Sequence, residues 1–287
     1  MLTARVATEV PAADRNNARG SLGASGAPQH SPRSPASTDS VESPREVCVP
    51  QACSGVFPSF AARTLVIIPA HNEEECVGDV VLRLQQRGFS RIRVVDNGST
   101  DQTSRAAREA GAEVIQTAGR GYGLACWLGA TSLPEGIEWL LFCNADASDD
   151  FDAYARFAEL AETHDLILGS RTHPDDRRGM TLPQRFGNWL APTLIGLLWG
   201  HHYSDLGPQR AIRTDAFQRL KMRDRGFGWT VEMQVRAVEE KLRIAEIPVR
   251  TFPRPAGQSK ISGNLRGTLA AGAIILRTIA VLAGRKR

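Results

Sequence analysis

The sequence predicts an α/β protein built on a Rossmann-like, mostly parallel sheet flanked by helices, and three observations carry that prediction. From Thr64 onward, short apolar runs alternate with segments of helical periodicity, the pattern of repeated β-α-β units. The runs are continuous rather than alternating, Leu65-Val66-Ile67-Ile68 above all, as in strands covered on both faces. Three of them end in polar clusters: Pro69-Ala70-His71-Asn72-Glu73-Glu74, Asp96-Asn97-Gly98-Ser99-Thr100-Asp101 and Asn144-Ala145-Asp146. Open α/β sheets bind ligands at the carboxyl ends of their strands, so these clusters mark the candidate site.

Taken in order, residues 1 to about 60 are rich in Ala, Ser, Pro, Gly and Arg and nearly lack periodic apolar positions. Such a stretch buries too little surface to offset its ordering entropy, so a disordered tail is expected over 1–60. The short apolar patch Val56-Phe57-Pro58-Ser59-Phe60 is suited to packing on a domain edge. The main domain is expected over 64–264. It opens with a strand at Leu65–Ile68. A helix follows from Asn72 to Gly88, with Val77, Val80, Val81 and Leu84 at helical spacing. Ile92 to Val95 reads as the second strand, and Thr103 to Ala110 as a helix closed by Gly111. Glu113 to Gln116 is a third strand, Gly121 to Leu133 a helix, and Trp139 to Cys143 the central strand. Asp152 to Glu162 is helical, and Leu166 to Leu168 is a strand running into Gly169-Ser170-Arg171.

Regularity fails after Arg171. Thr172 to Leu182 is charged and turn-rich, and Arg185 to Gly200 is strongly apolar. Phe227 to Lys241 reads as helix, Ile244 to Thr251 as strand, and 254 to 264 as a polar loop. Residues 265–287 are expected to form an amphipathic helix, from Leu265 to about Ala283, with a basic end at Gly284-Arg285-Lys286-Arg287.

Composition narrows the function classes. The 287 residues carry 42% apolar and 23% charged side chains and a net charge of only +4, which gives no reason to expect a nucleic-acid partner. Lysine stands at four positions, so the positive charge is nearly all arginine. Five cysteines, an odd number with no CxxC pair, suit a reducing compartment. The N-terminus shows no basic-then-apolar leader, and no run of eighteen uncharged apolar residues occurs. A cytoplasmic protein is expected.

Each candidate group has a plain structural alternative. Asp96, at a strand end before a Gly-Ser turn, suits a base imide or ribose hydroxyls; it equally suits an Asx-turn, with Thr100 or Asp101 capping the next helix. Asn144 and Asp146 offer hard oxygen donors of the kind that hold Mg²⁺ or Mn²⁺ together with phosphate and water, whereas Asp149 or Asp150 is placed to cap the following helix. Gly119-Arg120-Gly121-Tyr122-Gly123 has the look of a phosphate cradle but lacks the P-loop spacing, and reads as close backbone packing near a nucleotide. Arg210, Arg213 and Lys260 form a phosphate site if they converge, and are solvated surface charges if they do not.

In combination these stretches resemble family-2 glycosyltransferases of the GT-A fold, in the branch that includes dolichol- and polyprenyl-phosphate mannosyl- or glucosyltransferases. The matching elements are Pro69-Ala70-His71-Asn72-Glu73, Asp96-Asn97-Gly98-Ser99-Thr100-Asp101, Asn144-Ala145-Asp146 and Gly169-Ser170-Arg171. Further on come Ser204-Asp205 with Arg210 and Arg213, then Val231-Glu232-Met233, then Gln258-Ser259-Lys260. The resemblance implies a nucleotide-sugar donor, with Pro69, Asn72, Glu73, Asp96, Gly98, Asn144 and Asp146 about it. It implies Mg²⁺ or Mn²⁺ at Asp146 with Asn144, and a lipid-phosphate acceptor held by Arg210, Arg213 and Lys260. Asp146 and Asp205 are the implied catalytic residues, Asp205 being the nearest base should the acceptor be a hydroxyl. The sequence departs from the family pattern at Asn97 and Asn144, each standing where an aspartate is usual.

The apolar segments suit a lipid acceptor and a peripheral contact with the cytoplasmic membrane face. Arg266 and Arg277 share one side of the final helix, as in a helix lying in the interface beside anionic headgroups. A helix packed on the sheet, a homo-oligomer contact or a small membrane partner fits the same face. Two other readings stay open at this point: a soluble glycosyltransferase with a small hydroxylated acceptor, and a non-catalytic nucleotide-sugar-binding protein.

Overall fold

The computed structural model describes residues 56–172, 182–255 and 265–285. Its centre is one seven-stranded sheet: β1 (Thr64–Ala70), β2 (Arg91–Asp96), β3 (Glu113–Gln116), β4 (Trp139–Phe142), β5 (Leu166–Ser170), β6 (Arg210–Arg213) and β7 (Ile244–Pro248), in the order β3-β2-β1-β4-β6-β5-β7. All pairings are parallel except those of β6, which runs antiparallel to both β4 and β5. The sheet is therefore mixed and mostly parallel, as expected. Beyond β1 the strand order reverses, β2 lying on one side of it and β4 on the other. The crevice above β1 and β4 is thus the switch point at which such sheets bind ligands.

Alternation along β1 supplies two cores. Val66, Ile68 and Ala70 pack on α1 (Val56–Ala62), α2 (Val77–Gln86), α3 (Thr103–Glu109) and α5 (Tyr154–Ala161). Leu65 and Ile67 face α4 (Tyr122–Gly129), α6 (Leu182–Trp199), α7 (Thr214–Leu220), α8 (Trp229–Glu239) and α9 (Leu265–Arg285). Burial on both faces is why these strands read as continuous apolar runs.

Several boundaries differ from expectation for identifiable reasons. The tail expected to be disordered to about residue 60 overlaps α1, whose Phe57 and Phe60 meet Phe89 edge-on at 5.7 and 6.4 Å; residues 1–55 lie outside the described set. The helix expected from Asn72 begins at Val77, because Asn72 has φ +51° and Glu73 to Cys76 form a turn closed by Cys76 N–H on the Glu73 carbonyl at 3.1 Å. Helix α4 ends at Gly129 rather than Leu133. Buried Arg93, from β2, donates there to the carbonyls of Gly129 (2.8 Å), Thr131 (2.7 Å) and Ser132 (3.3 Å). A guanidinium on these carbonyls complements the negative end of the helix. Strand β6 and helix α7 were not anticipated.

Candidate active site

The β1 and β2 loops are built as one unit. The Asn72 N–H donates to Ser99 Oγ at 2.9 Å, and Asn72 Oδ1 accepts from the Thr100 N–H at 2.7 Å. The Glu73 N–H donates to Thr103 Oγ1 at 2.8 Å. Asp96 is buried, accepting from the Ser99 N–H at 2.9 Å and from the Ser104 hydroxyl. Burial opposes its ionisation, but the bonds from Ser104 and Ser99 outweigh it and hold the carboxyl below the usual range. Gly98 turns the chain at φ +72°, which keeps this loop tight over Asp96. Pro69 is in register with Val95, one residue before the paired strand ends Ala70 and Asp96. Asp96 braces its own loop through the N–H three residues on, and Asp101 accepts from the Thr103 N–H at 3.0 Å at the start of α3.

At the mouth of β4, Asp146 is 5% exposed. One of its oxygens accepts from the Ser148 N–H (3.0 Å) and hydroxyl (2.6 Å); the other lies 2.6 Å from Arg254 Nη2. Nη1 of the same arginine is 3.6 Å from Glu73 Oε1, so Arg254 bridges the ends of β1 and β4. Sequence reasoning missed Arg254. It follows β7, and only the return of that segment over the sheet brings it to Asp146, the Phe252 N–H donating to the Ser148 carbonyl at 2.9 Å.

Asn144 spends its amide on a second carboxylate. Its N–H and Nδ2 donate to the two oxygens of buried Asp149 at 2.7 and 2.9 Å. Burial pushes the Asp149 carboxyl up to about 6, the Asn144 N–H opposing the rise and the Asp146 charge adding to it. With its amide nitrogen bound to Asp149, Asn144 keeps a carbonyl oxygen that is a hard donor. One carboxylate and one amide carbonyl suit Mg²⁺ or Mn²⁺, which complete their shell with phosphate and water. Among the described residues no cluster of three or more His, Cys, Asp or Glu is placed to hold a metal.

The glycine-rich loop is a packing device. The N–H groups of Gly123 and Leu124, which open α4, are already bonded to the carbonyls of Gly226 (3.0 Å) and Arg225 (2.8 Å). Asn97 Oδ1 accepts from the Gly121 N–H at 3.0 Å and ties this loop to the end of β2. Glu232, buried in α8, fixes the opposing loop by accepting from the Arg223 and Asp224 N–H groups at 2.9 and 2.6 Å.

The expected acceptor cations do not converge. Arg210 pairs with Phe142 at the carboxyl end of β4, whereas Arg213 pairs with Trp139 at its start, about 10 Å away for three residues of strand. They also point to opposite faces of the sheet. Arg210 is fully buried against α8, donating to the carbonyls of Gly207, Thr230 (3.2 Å) and Pro208 (3.3 Å). Arg213 is half-exposed and pairs with Asp215 at 3.2 Å. Lys260 lies outside the described residues. Asp205 is 3% exposed and gripped by Arg171 through Nε (2.7 Å), Nη2 (3.0 Å) and the backbone N–H (3.0 Å). Burial opposes its ionisation, and Arg171 more than compensates, holding the carboxyl below the usual range.

A structure of glucosyl-3-phosphoglycerate synthase from Mycobacterium tuberculosis, in complex with Mn²⁺, UDP-glucose and phosphoglyceric acid, has the same fold. The TM-score is 0.61 over 81% of this chain and 84% of that one, at 18% identity. Among sequence relatives, undecaprenyl-phosphate mannosyltransferase of Micrococcus luteus is 29% identical over 71% of this chain and 90% of its own length. Glycosyltransferase AglJ of Haloferax volcanii is 30% identical over 67% of this chain, the match spanning 64% of that protein. Residues 65–221 match the model of glycosyl transferase family 2, more than half of the sequence, and the chain belongs to that family.

Proposed function

We propose that this family-2 glycosyltransferase moves a hexose from a nucleotide sugar to a polyprenyl phosphate at a membrane surface. The observation that carries the acceptor is a set of exposed apolar side chains on two packed helices. On α9, Ala273, Leu276, Ala280, Val281 and Gly284 are exposed along one face, with Arg277 as its charge. On the neighbouring α6, Trp189 and Leu197 are 61% and 77% exposed, two turns apart. Exposed apolar positions of this kind mark an interaction surface, and an exposed Trp and an exposed Arg on apolar helices suit the lipid interface. Among the described residues no helix is long and apolar enough to cross a membrane, so contact would be peripheral. Relatives named for undecaprenyl-phosphate and dolichyl-phosphate acceptors support the same reading.

In this reading Asp96, with the loop through Gly98, receives the base or ribose, and Glu73 and Asn72 line the wall beside it. Asp146 and the Asn144 carbonyl would hold Mg²⁺ or Mn²⁺, which stabilises the charge growing on the departing diphosphate. A lipid phosphate is already ionised, so it attacks the sugar carbon without surrendering a proton. That suits Asp205, whose proton affinity Arg171 suppresses, and leaves it a positioning part of the acceptor wall. Lys260 remains the proposed contact for the acceptor phosphate.

The test is transfer from UDP- and GDP-hexoses to undecaprenyl phosphate and to small hydroxylated acceptors. Transfer should require the lipid phosphate and a divalent cation, and Asp146→Ala should abolish it while thermal unfolding stays cooperative. Turnover confined to hydroxylated acceptors would defeat the lipid reading. Full Asp146→Ala activity in chelator would defeat the metal assignment.

A further inference from the structure

The carboxylate that the donor's metal would use already has a cation. Arg254 Nη2 stands 2.6 Å from Asp146, on the oxygen that Ser148 leaves uncommitted. Its Nη1 is buried without a hydrogen bond, 3.6 Å from Glu73, and so is a spare donor at the switch point of the sheet. The backbone that carries it is fixed independently: the Phe252 N–H bonds the Ser148 carbonyl at 2.9 Å, and the Arg250 N–H bonds Asp150 Oδ2 at 3.1 Å. A change of partner by this side chain, which is 29% exposed, therefore needs no movement of its backbone.

We propose that Arg254 is a donor-binding residue that exchanges partners, holding Asp146 in the resting chain and passing to the diphosphate of the nucleotide sugar when a divalent cation takes that carboxylate. The proposal rests on the nucleotide-sugar reading above. A guanidinium and a dication on one carboxylate oxygen repel each other at contact distance, so the arrival of the dication weakens the arginine's hold. The displaced guanidinium needs an anion within reach, and the ligand arriving with the metal brings one. A diphosphate matches the fork of an arginine, and would take up the spare Nη1 donor as well. The exchange ties metal entry to donor entry: metal alone must break the ion pair, whereas metal with nucleotide replaces it.

The experiment uses the full chain, Arg254→Gln and Arg254→Lys, with two binding readouts. Mn²⁺ binding without nucleotide is followed by the electron paramagnetic resonance of the free ion. Binding of UDP or GDP, whichever the wild type takes, is followed by calorimetry in excess Mn²⁺. Losing one charge-assisted pair changes affinity roughly tenfold or more. Arg254→Gln should therefore bind Mn²⁺ alone about tenfold more tightly and nucleotide about tenfold more weakly, opposite signs that a merely structural role would not give. Arg254→Lys, which keeps the charge and loses the fork, should keep the wild-type Mn²⁺ affinity and still weaken nucleotide binding. Should Arg254→Gln not unfold cooperatively, the lysine variant decides, and unchanged nucleotide affinity there overturns the proposal. Mn²⁺ affinity of Arg254→Gln at or below the wild-type value overturns the exchange and leaves the donor reading intact. A wild-type chain that binds neither nucleotide with Mn²⁺ overturns both.

Discussion

Replacing Arg210 by methionine separates two roles that this residue cannot combine. As an acceptor ligand it would be a cation facing a phosphate; in the structure it is a buried brace between β6, the 205–208 turn and α8. Its guanidinium donates to three carbonyls, of Gly207, Pro208 and Thr230, and approaches Met233 Sδ at 3.8 Å. Each bond lost to a buried carbonyl costs about 1–1.5 kcal/mol net. Methionine keeps most of the volume and relieves the desolvation of a cation whose pKa burial has already lowered. The balance is a loss of about 2–4 kcal/mol, which for a domain of roughly this size lowers the melting temperature by about 5–15 °C. Arg213→Ala is the control: its half-exposed pair with Asp215 should be worth less than about 1 kcal/mol. Denaturant unfolding of both variants, paired with transfer assays, reads the difference. An Arg210→Met chain with the wild-type midpoint and lost use of lipid phosphate would return Arg210 to the acceptor.

Asp165 is held at about 2 by its side-chain bonds from Arg243, so its pair contributes stability above about pH 4 and loses it as pH falls toward 2. Asp165→Asn should cost about 1 kcal/mol at pH 7 after solvent screening, and unfolding at pH 7, 4 and 3 should show the gap to wild type closing with acid; a widening gap would contradict it. Gly123→Ala would place a Cβ 2.9 Å from the backbone oxygens of Asp224 and Gly226, and overpacking of this kind costs about 1–3 kcal/mol. A Gly123→Ala chain with wild-type stability in urea would show that the 224–226 loop yields freely.

The parts that were legible in the sequence are those whose signal is local. Strands β1, β2 and β4 show as continuous apolar runs because helices cover both faces, and the polar residues follow at their carboxyl ends, where such sheets bind ligands. Strand β6 was hidden for the opposite reason. Arg210-Ala211-Ile212-Arg213 is bounded by two arginines and looks like a charged turn, and only its pairing with β4 and β5 makes a strand of it. The same pairing separates Arg210 from Arg213, which stand at opposite ends of the strand and on opposite faces of the sheet. Arg254 carries no local signal at all. Its role depends on the segment after β7 folding back over β4, a contact spanning more than a hundred residues of sequence.

The two asparagines that depart from the family pattern are explained by their partners. Asn97 Oδ1 accepts from Gly121 and so fixes the loop that opens α4, a task for any short side chain with a carbonyl or carboxyl oxygen. Asn144 is more restrictive. Its Nδ2 donates to Asp149, a carboxylate buried to 5% exposure with Asp146 nearby. An aspartate at 144 could not donate there, and would add a third negative charge to a pocket that already pushes Asp149 toward protonation. The asparagine therefore removes a charge from the ligand set while keeping an oxygen on it, and passes the donor side of its amide to Asp149. On the proposed assignment the carboxylate left to a cation is Asp146, whose oxygens already accept from Ser148 and pair with Arg254. Such a site would gain metal affinity chiefly from the phosphates of its donor, the same coupling proposed for the Arg254 ion pair from the other side.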